Sequence, residues 1–269
     1  MGMNLSIFRL IGIFALFTFQ AVSYAAGGHG VSLQKAPNNL CDKASLQRGA
    51  KLYVNYCQGC HSLEHVRYKG MAKDIGIVSQ EKDDNGKRPV LEALVQDNLN
   101  FVTDNINHSM YTALPKKAAE EWFGVAPPDL TLTTRVRGTD WVYTYLKSFY
   151  LDESRPWGVN NLVFPDVGMP HILLPLQGAQ APHYQVVEYK SDGEVHEQKV
   201  VDRLDVVSKG QMSDVEYDQA VTDLVNFLEY VGEPHKLERK RLGVWVLLFL
   251  ILFTLFAYLL KREYWKDVH

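Results

Sequence analysis

Two kinds of apolar pattern divide the chain. Residues 10–19 and 242–260 are nearly continuous apolar runs, and between them apolar positions recur mostly at helical spacing. Leu46, Gly49, Ala50, Tyr53 and Cys57 fall on one helical face and predict a helix opening near Asp42, a suitable N-cap. Leu91, Leu94, Val95, Leu99 and Val102 predict a second helix over 89–102, and Val142, Tyr145, Leu146 and Phe149 a third over 139–150. A longer helix carries Val221, Leu224, Val225 and Leu228, opens at a capping box of Ser213 and Glu216, and closes at Gly232 and Pro234. Residues 184–189 and 195–207 alternate with period two on either side of Ser191-Asp192-Gly193, which predicts a β-hairpin. The charged stretch 81–88 predicts a solvent loop, and residues 156–175, rich in Pro, Gly and Asn, have no period at all. Gly49 weakens its helix, so a packing reason is expected: a second helix crossing close by.

The run 242–260 holds 19 residues and no charge. At a rise of 1.5 Å per residue it covers about 28 Å, close to the hydrocarbon thickness of a bilayer. Arg239, Lys240 and Arg241 precede it, Lys261 and Arg262 follow it, and Trp245, Tyr258, Tyr264 and Trp265 lie near its ends. Basic and aromatic residues belong at such interfaces, so a membrane span is expected. The first run is shorter. Arg9, the apolar residues 10–19 and Ser23-Tyr24-Ala25 have the form of a secretory signal over residues 1–25. Together the two runs predict an exported domain at 26–236, an anchor with basic flanks at 237–262 and a cytoplasmic tail at 263–269.

Net charge changes little in this picture. The formal value of -3 over 269 residues gives no basic footprint for nucleic acid. Three cysteines are too few for a disulfide scaffold, and two of them have another use.

That use is Cys57-Gln58-Gly59-Cys60-His61, the spacing of a c-type haem attachment site. Each thiol adds to one porphyrin vinyl group, and the adjacent His sits under the iron as proximal ligand. A zinc half-site would need a second pair of ligands, and the remaining cysteine is Cys41 alone. A redox cysteine pair has no need of the His. One covalently attached haem c is therefore expected. Thioether formation takes place in the exported compartment of bacteria, in agreement with the signal. Pro127-Pro128-Asp129-Leu130 is a stiff extended turn able to present a carbonyl to the proximal His. Arg135 and Arg137 follow and are candidates for pairing with a haem propionate. The sixth iron ligand is open among Met71, Met110, Met169, Met212 and the histidines. Met169 is favoured by its place in the irregular 156–175 stretch, next to Pro170, with His171 the nearby rival.

These pieces together resemble the cytochrome c1 family. The resemblance rests on the stretch from Arg48 through Cys57-Gln58-Gly59-Cys60-His61-Ser62, on Pro127-Pro128-Asp129-Leu130 with Arg137, on Met169-Pro170, and on Gly232-Glu233-Pro234 leading to Lys261-Arg262-Glu263-Tyr264-Trp265. It covers nearly the whole exported chain. It implies a mainly α, cytochrome c-like haem domain with a small β-hairpin insertion and one C-terminal transmembrane helix. It implies Met169 as sixth ligand, Arg137 as propionate partner, and crossing terminal helices that account for Gly49. It implies the haem c subunit of a quinol–cytochrome c reductase, partnered by cytochrome b and a Rieske iron–sulfur subunit, delivering electrons to a soluble or membrane-bound cytochrome c. The location implied is a bacterial inner membrane, in contact with lipid, with the haem domain on the periplasmic side. The subunit itself makes and breaks no substrate bond. The rival reading is a membrane-anchored haem enzyme with an open iron site that reduces a small ligand. Two departures stand out: Gly138-Thr139-Asp140 is shorter than the family's glycine pair, and Trp141 stands where a propionate-binding tyrosine is expected.

Overall fold

The computed structural model describes residues 31–191 and 194–267, so the predicted signal sequence and the Asp192-Gly193 turn lie outside the described residues. Helix α1 (Lys43–Leu52) starts where Asp42 caps it, the side chain accepting from the Ser45 N–H at 3.0 Å. It passes into a π turn at Tyr53–Cys57. Strand β1 (Leu63–Arg67) and helix α2 (Tyr68–Ile75) follow. Helix α3 (Glu92–Leu99), strand β2 (Ser109–Met110) and helix α4 (Lys116–Phe123) complete the first half, with β2 antiparallel to β1. The 81–88 loop is exposed throughout, as expected.

The second half opens with two short helices, α5 (Thr133–Arg137) and α6 (Thr139–Lys147). Strands β3 (Phe149–Leu151) and β4 (Val159–Asn161) then pair antiparallel. After one helical turn, α7 (Leu174–Gln177), comes a long hairpin of β5 (Gly178–Ser191) and β6 (Glu194–Lys209). It begins earlier than the alternation at 184–189 indicates. Helix α8 (Asp214–Gly232) opens on the capping box, with Ser213 and Glu216 bonded reciprocally.

Helices α1 and α8 form the centre of the core. Leu46, Ala50, Tyr53, Val221, Leu224, Val225, Phe227 and Leu228 are buried between them and their neighbours. Burying a Leu, Val or Phe side chain stabilises by about 1.5–3 kcal/mol each. The Arg48 guanidinium grips the buried Asp223 carboxylate through two bonds, at 2.6 and 2.9 Å. Gly49 sits at the crossing itself: a Cβ there would lie 2.1 Å from the Asp223 carbonyl oxygen and 2.6 Å from the Phe227 Cβ. Backbone cannot step aside as a flexible side chain can, so Gly49→Ala must push the helices apart. Overpacking typically costs about 1–3 kcal/mol, and a backbone clash belongs at the upper end. For a domain of this size that lowers the melting temperature by about 6–12 °C. Thermal unfolding of the detergent-solubilised holoprotein checks this, and an unchanged midpoint would contradict so close a crossing.

Two predicted helices are shorter than the periodicity suggests. The second covers only Glu92–Leu99 and buries Val95 and Leu99 alone, leaving Leu91 and Leu94 exposed. The Asn100 side chain ends it by accepting from the Thr103 N–H at 3.2 Å. The third stops at Lys147, and Phe149 points inward from a strand instead. The carbonyls beyond the stop are taken by side chains. Gln177 and Gln180 donate to the Lys147 oxygen at 3.0 Å each, and Gln180 to the Phe149 oxygen at 2.9 Å.

Helix α9 (Lys236–Tyr264) has 29 residues, about 43 Å of helix. It is long and apolar enough to cross a membrane, and none of its residues is buried against the rest of the protein.

Candidate haem site

The π turn sets the first half of the site. It ends on Cys57, whose carbonyl accepts from the N–H groups of Cys60 and His61 at 3.1 and 2.9 Å. Cys57, Cys60 and His61 are thereby gathered on one turn. The buried Tyr53 hydroxyl locks this turn from below by donating to the His61 carbonyl at 2.6 Å, and Thr112 donates to the Gly59 carbonyl at 2.9 Å. Both thiols are free. Burial, with the Cys60 thiol second, pushes the Cys57 thiol up to about 12, and burial raises Cys60 as well. Among the described residues no group of three or more His, Cys, Asp or Glu converges.

The proline segment docks along the turn. Leu130 donates its N–H to the Ser62 carbonyl at 3.0 Å, and the Glu64 N–H donates to the Asp129 carboxylate at 2.8 Å. This alignment brings the Pro128 carbonyl 2.7 Å from His61 Nδ1. A carbonyl only accepts, so Nδ1 carries the proton and Nε2 keeps a free lone pair. Burial lowers the pKa of His61 against the opposing pull of that carbonyl, so the ring is neutral at neutral pH. A neutral imidazole, oriented by a backbone carbonyl and open at Nε2, is the form in which histidine binds iron.

The second half is built from α6 and the loop after β4. Asn161, fully buried, joins them. Its amide donates to the Tyr145 carbonyl at 2.8 Å, and its oxygen accepts from the N–H groups of Val163 and Phe164 at 2.9 and 3.2 Å. Further along, Arg155 holds Asp166 by side chain and backbone at 2.8 and 2.9 Å, with Asp166 in a left-handed conformation at φ 61°. Met169 follows on this braced loop and packs with Phe149, Val159 and Val167. Its sulfur accepts a hydrogen bond from the Tyr145 hydroxyl at 3.3 Å. Arg137 lies over the Trp141 ring at 5.0 Å and the Phe164 ring at 5.9 Å, and Trp141 stacks on Tyr145 at 5.1 Å. Trp141 thus offers its flat faces to Arg137 and Tyr145. His171 is stacked on Phe149 at 4.7 Å, and burial lowers its pKa to about 4.

The sequence-predicted residues therefore fall into two groups. Cys57, Cys60 and His61 share one turn; Arg137 and Met169 are linked through Trp141 and Tyr145. Tyr145 packs both against the main core and against the smaller cluster of Phe149, Val159 and Val167 on which Met169 sits. Met71 and Met110 are buried deep in the core, and Met212 packs against it. Sequence reasoning misses the roles of Tyr145 and Asn161. The aromatic ladder Trp141, Tyr145, Phe149, at steps of four, marks the Tyr145 ring as inward-facing but does not give its hydroxyl a target.

Residues 34–268 match the Cytochrome C1 family. The chain belongs to that family. Its relatives include the cytochrome c1 of Allochromatium vinosum, 49% identical over 244 residues, 91% of this chain and 93% of that one. The ammonia monooxygenase gamma subunit of Nitrosomonas europaea is 43% identical over 244 residues, covering 91% and 92%. The cytochrome c1 of Rhodospirillum rubrum is 27% identical over 248 residues, covering 84% and 83%. Membership implies a covalently bound haem c and an electron-carrying role as a membrane-anchored subunit of a cytochrome bc1 complex, not an enzyme by itself. The donor set at the Cys57 turn fits that group: two unpaired thiols and a neutral imidazole with its iron-binding nitrogen free.

Proposed function

We propose that this protein carries single electrons from a Rieske iron–sulfur subunit to a soluble or membrane-bound cytochrome c acceptor, within a quinol–cytochrome c reductase that also contains cytochrome b. Bound haem supplies the one-electron couple between ferrous and ferric iron. The chain's own residues attach, orient and tune it. Cys57 and Cys60 form the two thioethers. His61 donates from Nε2 while the Pro128 carbonyl holds its ring and keeps the proton on Nδ1. Met169 is the sixth ligand. Arg137, held against Trp141 and Phe164, pairs with a propionate. The observation that carries this reading is the His61–Pro128 bond at 2.7 Å, which leaves a neutral, aimed imidazole. Met169 is preferred to His171 on the cytochrome c1 resemblance carried by Met169-Pro170, with His171, whose Nε2 is buried without a partner, the rival on the same loop. Two protein ligands leave no open iron position, which favours a carrier over an enzyme acting on a small ligand.

The proposed topology places residues 26–236 on the periplasmic side of a bacterial inner membrane. Helix α9 crosses the lipid once, and residues 263–269 remain in the cytoplasm. Purification from native membranes in mild detergent tests the assignment. Cytochrome b and an iron–sulfur subunit should co-purify, and added quinol should reduce the haem c. A chain that emerges without them, with haem that binds carbon monoxide, would favour the open-site enzyme. Co-purification with an oxygenase would follow the name of the Nitrosomonas relative and also overturn the proposal.

A further inference from the structure

We infer that Tyr145 is a positioning residue that sets the haem potential through Met169. This rests on the reading of Met169 as the sixth ligand. The geometry that carries it is the hydroxyl aimed at the Met169 sulfur at 3.3 Å. A thioether sulfur has two lone pairs, so it can bind iron with one and accept this hydrogen bond with the other.

The phenol has little freedom to point elsewhere. Its ring is stacked on Trp141 at 5.1 Å and 9°, and meets the Phe149 edge at 5.1 Å and 70°. Its backbone carbonyl is held by the Asn161 amide at 2.8 Å. The same Asn161 fixes the start of the loop that carries Met169, so hydroxyl and sulfur are registered through one buried side chain.

The direction of the effect follows from charge. A donor drawing on the sulfur makes it a poorer electron donor to iron. Ferric iron loses more by this than ferrous iron, so the reduced state is favoured and the potential rises. A hydrogen bond of ordinary net strength corresponds to about a two- to tenfold change in an equilibrium constant. Applied to the one-electron couple at 59 mV per decade, that is about 20–60 mV.

Tyr145→Phe tests this, because it keeps both ring contacts and removes only the hydroxyl. Redox titration of the purified complex should show the haem c potential lowered by about 20–60 mV. Imidazole should displace the sixth ligand of the ferric protein less readily, by about two- to tenfold, since the iron–sulfur bond is strengthened. Tyr143→Phe is the control: that hydroxyl donates to Asp218 at 2.5 Å, so its loss should move stability and leave the potential alone. A purely structural Tyr145 would give the Tyr143→Phe pattern, and a parental potential with parental imidazole affinity in Tyr145→Phe overturns the inference. Failure of the underlying reading is separately visible. If Met169→Leu keeps the parental potential and the ferric iron–thioether absorption band, Met169 is not the ligand and the inference falls with it.

Discussion

Replacing both Cys57 and Cys60 by alanine abolishes covalent haem. On a denaturing gel stained for haem peroxidase activity, the band near the mature mass disappears, while an immunoblot still detects the chain. The effect is all or none because the two thiols are the attachment atoms and Cys41, the remaining cysteine, lies exposed at the start of α1 and cannot substitute. Each single variant keeps one thioether and should stain weakly. A double variant that retains haem through boiling in detergent would refute the attachment chemistry.

How much is legible in the sequence depends on the range of the forces involved. Local signals read correctly: the Asp42 cap, the Ser213–Glu216 capping box and the apolar face of α8 all act within a turn or two. The anchor helix is legible because 19 uncharged residues in a row match the thickness of a bilayer and leave no polar face for water. Gly49 announces a close crossing by being a poor choice for its own helix, and the partner is α8. The end of α6 is not legible. Helical periodicity continues through Phe149, but the carbonyls that would extend the helix are claimed by Gln177 and Gln180, some 30 residues downstream. Long-range side-chain bonds of this kind override a local pattern and leave no local trace.

The same distinction runs through the site. Cys57, Cys60 and His61 lie within five consecutive positions, so their chemistry can be read from spacing alone. The Pro128 carbonyl lies 67 positions from His61; the stiff proline turn suggests a donor–acceptor match, but only the docking of Leu130 and Asp129 along the turn shows how it is aimed. Tyr145 reads in the sequence as one more inward-facing residue. Its hydroxyl acquires a target only through the loop that Asn161 and Arg155 brace, and no periodicity encodes that.

Met169→Leu should stop electron flow while leaving the complex assembled. Leucine nearly matches methionine in volume, and such swaps usually cost under about 1.5 kcal/mol. Here a further cost follows, because the Tyr145 hydroxyl loses its acceptor in a partly buried site; an unsatisfied group of this kind costs about 1–3 kcal/mol. The domain therefore weakens but folds, and the subunits should still co-purify. The iron changes more. Thioether ligation raises the potential of a histidine-ligated haem, so its loss should lower the potential and open a position for carbon monoxide. An iron–sulfur donor poised for the parental haem would then transfer its electron uphill, and quinol-dependent reduction of the acceptor should fall to background. Met71→Leu and Met110→Leu fall within the buried core, and Met212→Leu on its margin. All three should shift stability modestly and leave the haem spectrum as it was. If Met169→Leu instead excludes carbon monoxide and keeps the parental potential, the sixth ligand lies elsewhere. His171, half-buried, neutral and stacked on Phe149 two residues along the same loop, is then the side chain to change next.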